Sequence, residues 1–328
     1  MTTDHPKLSL DDIKAAQVRI AGEAVVTPLI NNAHLDEVVG GRVFLKCENL
    51  QRTGSFKFRG AYNALASMSA EERANGIVAV SSGNHAQGIA EAARMFGVPA
   101  TIIMPSSAPA IKTERVRRLG AEVVPYDRAV DDRDSFARDL VEETGAEFVP
   151  PYDDLRVMAG QGTVGLETVE QLEALGLEAD IGLICTGGGG LCAGISTVWR
   201  DAFPAMDIVA VEPDGYDDTV RSLVSGQRET NAPGATTICD AIMTDRPGAL
   251  TFPVNVSNKV RGLAVSDDEV LDAVAFALRE LKLVVEAGGA VCLAALLAGK
   301  VDLGGQVVLA VLSGGNADPA ILARALQR

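Results

Sequence analysis

The stretch Ile181-Gly182-Leu183-Ile184-Cys185-Thr186-Gly187-Gly188-Gly189-Gly190-Leu191 decides the fold. Its first five residues read as a short buried strand, and an apolar helix pattern resumes at Leu191. Flexible linkers do not sit between a buried strand and an apolar helix, so the glycines read as a phosphate cradle. Without side chains the backbone approaches an anion closely, and the following helix points its positive end at it. No Gly-Lys-Ser/Thr follows, which excludes a Walker A loop. The mid-chain position, with no acidic residue placed to meet a ribose, excludes a dinucleotide fingerprint.

Outward from this loop the same alternation recurs. Val43-Phe44-Leu45, Ile77 to Val80, Thr101 to Met104, Glu122-Val123-Val124, Ile208 to Val211 and Val307 to Val311 read as strands. Helix patterns lie between them, among them Ala86 to Phe96 closed by Gly97 and Ala110 to Leu119 closed by Gly120. Strand-helix alternation predicts an α/β protein of parallel sheets flanked by helices, with ligands beyond the carboxyl ends of the strands. Ser9 to Asp12 resembles a capping box, opening a helix that ends near Gly22. Residues 74–148 hold three strand-helix units and end before Pro150-Pro151, so they are expected to form a small inserted lobe, with 1–73 and 149–328 as the large lobe. After Asn316 only one more helix fits, and no regulatory domain is expected.

The chain has 328 residues, 47% hydrophobic, with 33 glycines and a net charge of −15. That charge repels nucleic acid and anionic membranes. The opening Met1 to Pro6 lacks a basic and apolar leader, no apolar stretch reaches membrane-span length, and Cys47, Cys185, Cys192, Cys239 and Cys292 read as reduced core thiols. A cytoplasmic protein is expected.

Thr53-Gly54-Ser55-Phe56-Lys57-Phe58-Arg59-Gly60 sets one lysine between a small-residue turn and an apolar helix start. An amine condenses with an aldehyde only after losing its proton, and desolvation beside Phe56 and Phe58 moves Lys57 that way. Ser81-Ser82-Gly83-Asn84-His85 offers hydroxyls, an amide and N–H donors suited to a carboxylate and a ring hydroxyl, although by itself it is equally a plain N-cap turn. Leu312-Ser313-Gly314-Gly315-Asn316 offers a hydroxyl that could meet a heterocyclic nitrogen.

Taken with Lys46-Cys47-Glu48-Asn49, Ala159-Gly160-Gln161-Gly162-Thr163 and Glu212-Pro213, these motifs run in one order over nearly the whole chain. The chain resembles the two-lobed fold type II pyridoxal-phosphate enzymes (tryptophan synthase β-like), and within them the serine/threonine dehydratase and serine racemase family. The resemblance implies pyridoxal 5'-phosphate held covalently by Lys57, packed on Phe56, with Asn84 on the ring hydroxyl, Gly187, Gly188, Gly189 and Gly190 on the phosphate, and Ser313 facing the ring nitrogen. It implies that Ser81, Ser82, Gly83, Asn84 and His85 bind the amino-acid carboxylate. Ser82 would be a second acid/base on the face opposite the lysine, and His85 reads as an orienting or core histidine rather than a proton carrier. Glu212, the Tyr216 carbonyl and Asp218 resemble the group's Mg²⁺ or Ca²⁺ loop, against a solvated acidic turn as the alternative.

Ala86, Ala241 and Ala287 depart from the family pattern. Arg133 matches a position that in racemases can meet a second carboxylate, while its setting, Asp131-Asp132-Arg133-Asp134, favours a surface ion pair. The resemblance implies an ammonia-lyase (dehydratase) for L-threonine and L-serine, acting as a homodimer. The alternatives are a serine or aspartate racemase, a 3-hydroxyaspartate dehydratase, and a catalytically silent amino-acid sensor.

Overall fold

The computed structural model describes residues 7–108, 110–127 and 132–328. The opening Met1 to Pro6 and Asp131 of the acidic run lie outside them. Ten strands occur among the described residues: β1 (Leu29–Asn31), β2 (Arg42–Cys47), β3 (Ile77–Val80), β4 (Ala100–Pro105), β5 (Glu122–Tyr126), β6 (Glu147–Phe148), β7 (Ile181–Cys185), β8 (Asp207–Pro213), β9 (Arg261–Val265) and β10 (Val307–Leu312). They form two sheets, a six-stranded one in the order β1-β2-β10-β7-β8-β9 and a four-stranded one in the order β5-β4-β3-β6. Every pairing is parallel except that of β1 with β2. In β7 all five residues are buried, as expected of a parallel strand covered on both faces. The expected parallel α/β architecture is therefore present, with helices packed on the sheets.

Hydrophobic clusters lie on both faces of each sheet, and two of them bear on the site. The larger one packs β2, β7, β8 and β10 against the Ala287–Leu297 helix, and a second lies under β3 and β4. Ala61, Ala64 and Leu65 of the Lys57–Ala66 helix belong to the second core. We accordingly propose that the small lobe takes in this helix as well as the inserted segment 74–148.

Local chemistry sets the ends of elements as the sequence suggests. Ser9 and Asp12 form a capping box at the Leu10–Ile20 helix, and Gly97 closes the Asn84–Phe96 helix at φ 67. That helix starts two residues before Ala86, so Asn84 and His85 belong to its first turn and the preceding loop is shorter than the sequence suggests. All five cysteines are free and buried. No helix among the described residues is long and apolar enough to cross a membrane.

Because β10 lies between β2 and β7, the carboxyl ends of these three strands adjoin. The segment leading to Lys57, the glycine loop and Ser313 all leave from that edge.

Candidate active site

Lys57 opens its helix half-buried, with Nζ donating to the Pro151 carbonyl at 2.7 Å and lying 5.2 Å from the centre of the Phe56 ring. Burial brings its pKa down to about 8, with the nearby Glu286 carboxylate opposing that shift. A free amine is thus accessible near neutral pH. The backbone N–H of Phe56 donates to the Ser313 carbonyl at 3.1 Å, and Ser55 bridges to Gly314, so the lysine segment is stitched to the end of β10.

The glycine loop is packed from below. A Cβ at Gly188 would lie 2.4 Å from the Tyr152 ring, and Gly189 sits at φ 90, where side chains are strained. Thr251 Oγ1 donates to the Gly188 carbonyl at 2.6 Å. No acceptor among the described residues takes the backbone N–H of Gly187, Gly188, Gly189 or Gly190, which opens the Gly190–Ala202 helix. Those four donors fit a phosphate.

Ser81 and Ser82 leave β3, and the Ser81 hydroxyl accepts from the Gly83 N–H at 3.2 Å. The helix they enter crosses that of Lys57 so closely that a Cβ at Gly88 would lie 3.2 Å from the Lys57 carbonyl. His85 Nε2 bonds the Val149 carbonyl at 2.9 Å and Nδ1 is buried without a partner. Burial, aided by the Lys57 charge, pushes the imidazole pKa down to about 3, so His85 is neutral. Asn84 Nδ2 donates to Glu286 Oε1 at 2.6 Å. Burial raises the Glu286 carboxyl to about 7.

Glu212 is the last residue but one of β8 and Asp218 opens the Asp218–Ser225 helix, with Tyr216 in the turn between. Glu212 Oε2 accepts from the Val220 N–H at 2.8 Å and an Asp218 oxygen accepts from Asn231 at 2.6 Å, whereas Glu212 Oε1 and Asp218 Oδ2 are buried without partners. Burial and the neighbouring Asp218 push Glu212 well up, and burial raises Asp218 to about 6. Among the described residues no group of three or more His, Cys, Asp or Glu side chains is arranged so that it could hold a metal ion.

Three features escaped sequence reasoning. Glu286 is one acid at the end of an apolar run, and Tyr152 lies beyond the Pro pair, where the charge of Arg133 reaches it from the Arg133–Thr144 helix. The third is a buried charge quartet behind Lys57. Arg59 forks onto Glu48 at 2.8 Å on both oxygens and onto Glu167 at 2.6 and 2.8 Å, and Lys46 reaches Glu167 at 2.6 Å.

The chain matches the sequence profile of the family described as "Pyridoxal-phosphate dependent enzyme" over residues 20–314. It belongs to the pyridoxal-phosphate-dependent enzymes. Among relatives, it is 41% identical to L-threonine ammonia-lyase of Thermotoga maritima over 321 residues, 98% of this chain and 79% of that protein. It is 44% identical to L-threo-3-hydroxyaspartate ammonia-lyase of a Pseudomonas species over 308 residues, 94% of this chain and 95% of that protein. The structure of maize serine racemase superposes with a TM-score of 0.91 at 34% identity, covering 98% of each chain. As a pyridoxal-phosphate enzyme the protein has, in Lys57 and the open glycine N–H groups, a donor set that fits the family cofactor.

Proposed function

We propose that the protein is an ammonia-lyase acting on small β-hydroxy amino acids, L-threonine and L-serine before others. The observation that carries this is the half-buried amine of Lys57, with its pKa near 8, at an edge shared with an open cradle of N–H groups. When bound, pyridoxal phosphate supplies an electron sink for the pair left at Cα once its proton departs.

Lys57 would hold that group at rest, and its amine, when free, would take the Cα proton onto Nζ. The Ser81–Asn84 turn binds the substrate carboxylate through its N–H groups and hydroxyls. Neutral His85 orients that turn by donating its Nε2–H to the Val149 carbonyl. Gly187 to Gly190 would bind the phosphate, Phe56 would pack on the ring, Asn84 would meet its hydroxyl, and Ser313 would offer the ring nitrogen a neutral hydroxyl. A neutral hydroxyl at that place would leave the bound group a weaker electron sink than a carboxylate partner would, which favours prompt loss of the β-hydroxyl. Water is lost and regained as the released enamine hydrolyses, so one amino acid gives one 2-oxo acid and one ammonia.

Ser82 and the likeness to serine racemase favour one companion reading, racemisation, with Ser82 as acid/base on the second face. Glu212, Asp218 and the Tyr216 carbonyl form our proposed Mg²⁺ or Ca²⁺ site, supported by two buried carboxylate oxygens that lack partners. Exposed Val25, Val26, Leu50 and Val284 support a homodimer, the Gln51 side chain bonding Val25 and that of Asn49 bonding Val284. Five free buried thiols support a cytoplasmic setting. A panel of L-threonine, L-serine, L-threo-3-hydroxyaspartate and D-serine, assayed for 2-oxo acid, ammonia and product chirality, tests the reading. Equal yields of 2-oxo acid and ammonia from L-threonine are expected. D-amino acid as the main product would replace it with a racemase, and no turnover without visible cofactor absorbance would leave a sensor.

A further inference from the structure

Asn84 opens its helix with its amide buried between two other polar side chains, and those neighbours leave it one orientation. Asn316 Nδ2 lies 2.8 Å from the Thr53 carbonyl oxygen and 2.8 Å from Asn84 Oδ1. A main-chain carbonyl only accepts, so the end of Asn316 that faces Thr53 is its NH₂ group. That group uses its second hydrogen on Asn84, which turns the Asn84 oxygen toward Asn316 and the Asn84 NH₂ toward Glu286, 2.6 Å away. Glu286 Oε1 is therefore an acceptor. Gly314 makes the space for it, since a Cβ there would lie 1.9 Å from that oxygen. At the other end of the chain of bonds Thr53 sits at φ 64, a backbone conformation that β-branched residues rarely adopt.

We propose that Asn316 and Glu286, anchored on the Thr53 carbonyl, are positioning residues that fix the polarity with which the Asn84 amide meets the ring hydroxyl of the cofactor. The inference rests on Asn84 facing that hydroxyl. An isolated amide turns over at little cost and would meet the hydroxyl with either end. In the relay a reversed Asn84 sets NH₂ against NH₂ at Asn316 and oxygen against carboxylate at Glu286, so two buried bonds become two like contacts.

The relay makes an ordering that shape alone reverses. Asn316→Asp keeps the shape but sets an acceptor against both the Thr53 carbonyl and Asn84 Oδ1, whereas Asn316→Ala only releases one side while Glu286 still holds the other. Adding Glu286→Gln to Asn316→Asp restores both bonds of Asn84 with inverted polarity and the native net charge, leaving the acceptor contact with the Thr53 carbonyl in place. The Asn84 NH₂ then turns to Asp and its oxygen to the Gln NH₂.

The test is titration of each apoprotein with pyridoxal phosphate, read by intrinsic fluorescence, together with apoprotein melting and the pH midpoint of the bound cofactor's visible band. Asn316→Asp should weaken binding about tenfold or more, one charge-assisted hydrogen bond's worth, and more than Asn316→Ala does. The double variant should recover part of the apoprotein melting temperature lost in Asn316→Asp, the share that belongs to the Asn84 bonds, yet keep the weakened binding and the displaced midpoint. Binding and midpoint restored to native values in the double variant would overturn the proposal, as would native affinity in Asn316→Asp. Asn84→Ala separates the two levels: unchanged affinity there removes the ring-hydroxyl reading itself, while a loss in Asn84→Ala without one in Asn316→Asp removes the relay alone.

Discussion

Replacing Arg59 by Met should expose what the charge quartet behind Lys57 contributes. Arg59 and Lys46 face Glu48 and Glu167, two cations against two anions; Arg59 and Glu48 are fully buried and the other two nearly so. Without Arg59, the buried Glu48 keeps the Thr27 hydroxyl at 2.5 Å as its remaining close side-chain partner, and one negative charge in the cluster loses its counterion. Breaking a buried pair from one side costs about 3–5 kcal/mol. Urea unfolding at 25 °C should show that loss at pH 8.

The pH dependence carries the sign. In the native protein burial pushes the Glu48 carboxyl up, but the Arg59 guanidinium and its hydrogen bonds override this and hold it below the usual range. A depressed carboxyl adds stability above its unfolded pKa that is lost as pH falls through the folded one. In Arg59→Met burial dominates, Glu48 rises above its unfolded value, and acidification from pH 8 toward 5 should stabilise the variant. Adding Glu48→Gln should recover about 1–3 kcal/mol, because the uncompensated charge is gone. A loss below about 1 kcal/mol for Arg59→Met, or strict additivity with Glu48→Gln, would refute the reasoning.

Three further outcomes are expected. Gly188→Ala sets a Cβ 2.4 Å from the Tyr152 ring, so cofactor affinity measured by titration should fall about tenfold or more, while the apoprotein still folds. Ser82→Ala should abolish D-serine formation in chiral chromatography and slow elimination from L-serine by at most about a hundredfold, the scale of one proton-transfer group; undiminished D-serine would remove Ser82 from the second face. Chelation should lower the melting temperature and Mg²⁺ or Ca²⁺ should restore it, with Glu212→Gln insensitive to both, whereas identical melting of chelated and cation-loaded protein would leave a solvated turn.

Much of the fold was legible because parallel sheets buried on both faces write themselves as apolar runs with glycine at the turns, as β7 and its loop do. Three strands were not. β1 has three residues, β6 has two, and β9 has Val265 as its one buried position, too little apolar pattern to separate any of them from a loop. Asn84 and His85 read as loop because Ser-Ser-Gly precedes them, yet the helix takes them in, which aims the Asn84 amide at Glu286. The lysine segment and glycine loop could be placed from sequence because special backbone chemistry marks them. Glu286 and Tyr152 could not, because what distinguishes them is contact with residues distant along the chain: Asn84 lies 202 positions from Glu286, and Gly188 owes its missing side chain to the Tyr152 ring. Arg59 and Glu48 were visible as motif letters, but their pairing across helix and strand end exists only in three dimensions.

The central claim is that one lysine, Lys57, holds the cofactor at the edge shared by β2, β10 and β7. Borohydride reduction of the native holoenzyme, followed by proteolysis and mass mapping, tests it most directly. The account predicts the reduced adduct on Lys57, and its absence from Lys57→Ala together with a loss of L-threonine turnover of about a thousandfold or more. An adduct on Lys46, Lys112 or any other lysine, or full turnover by Lys57→Ala, would contradict it.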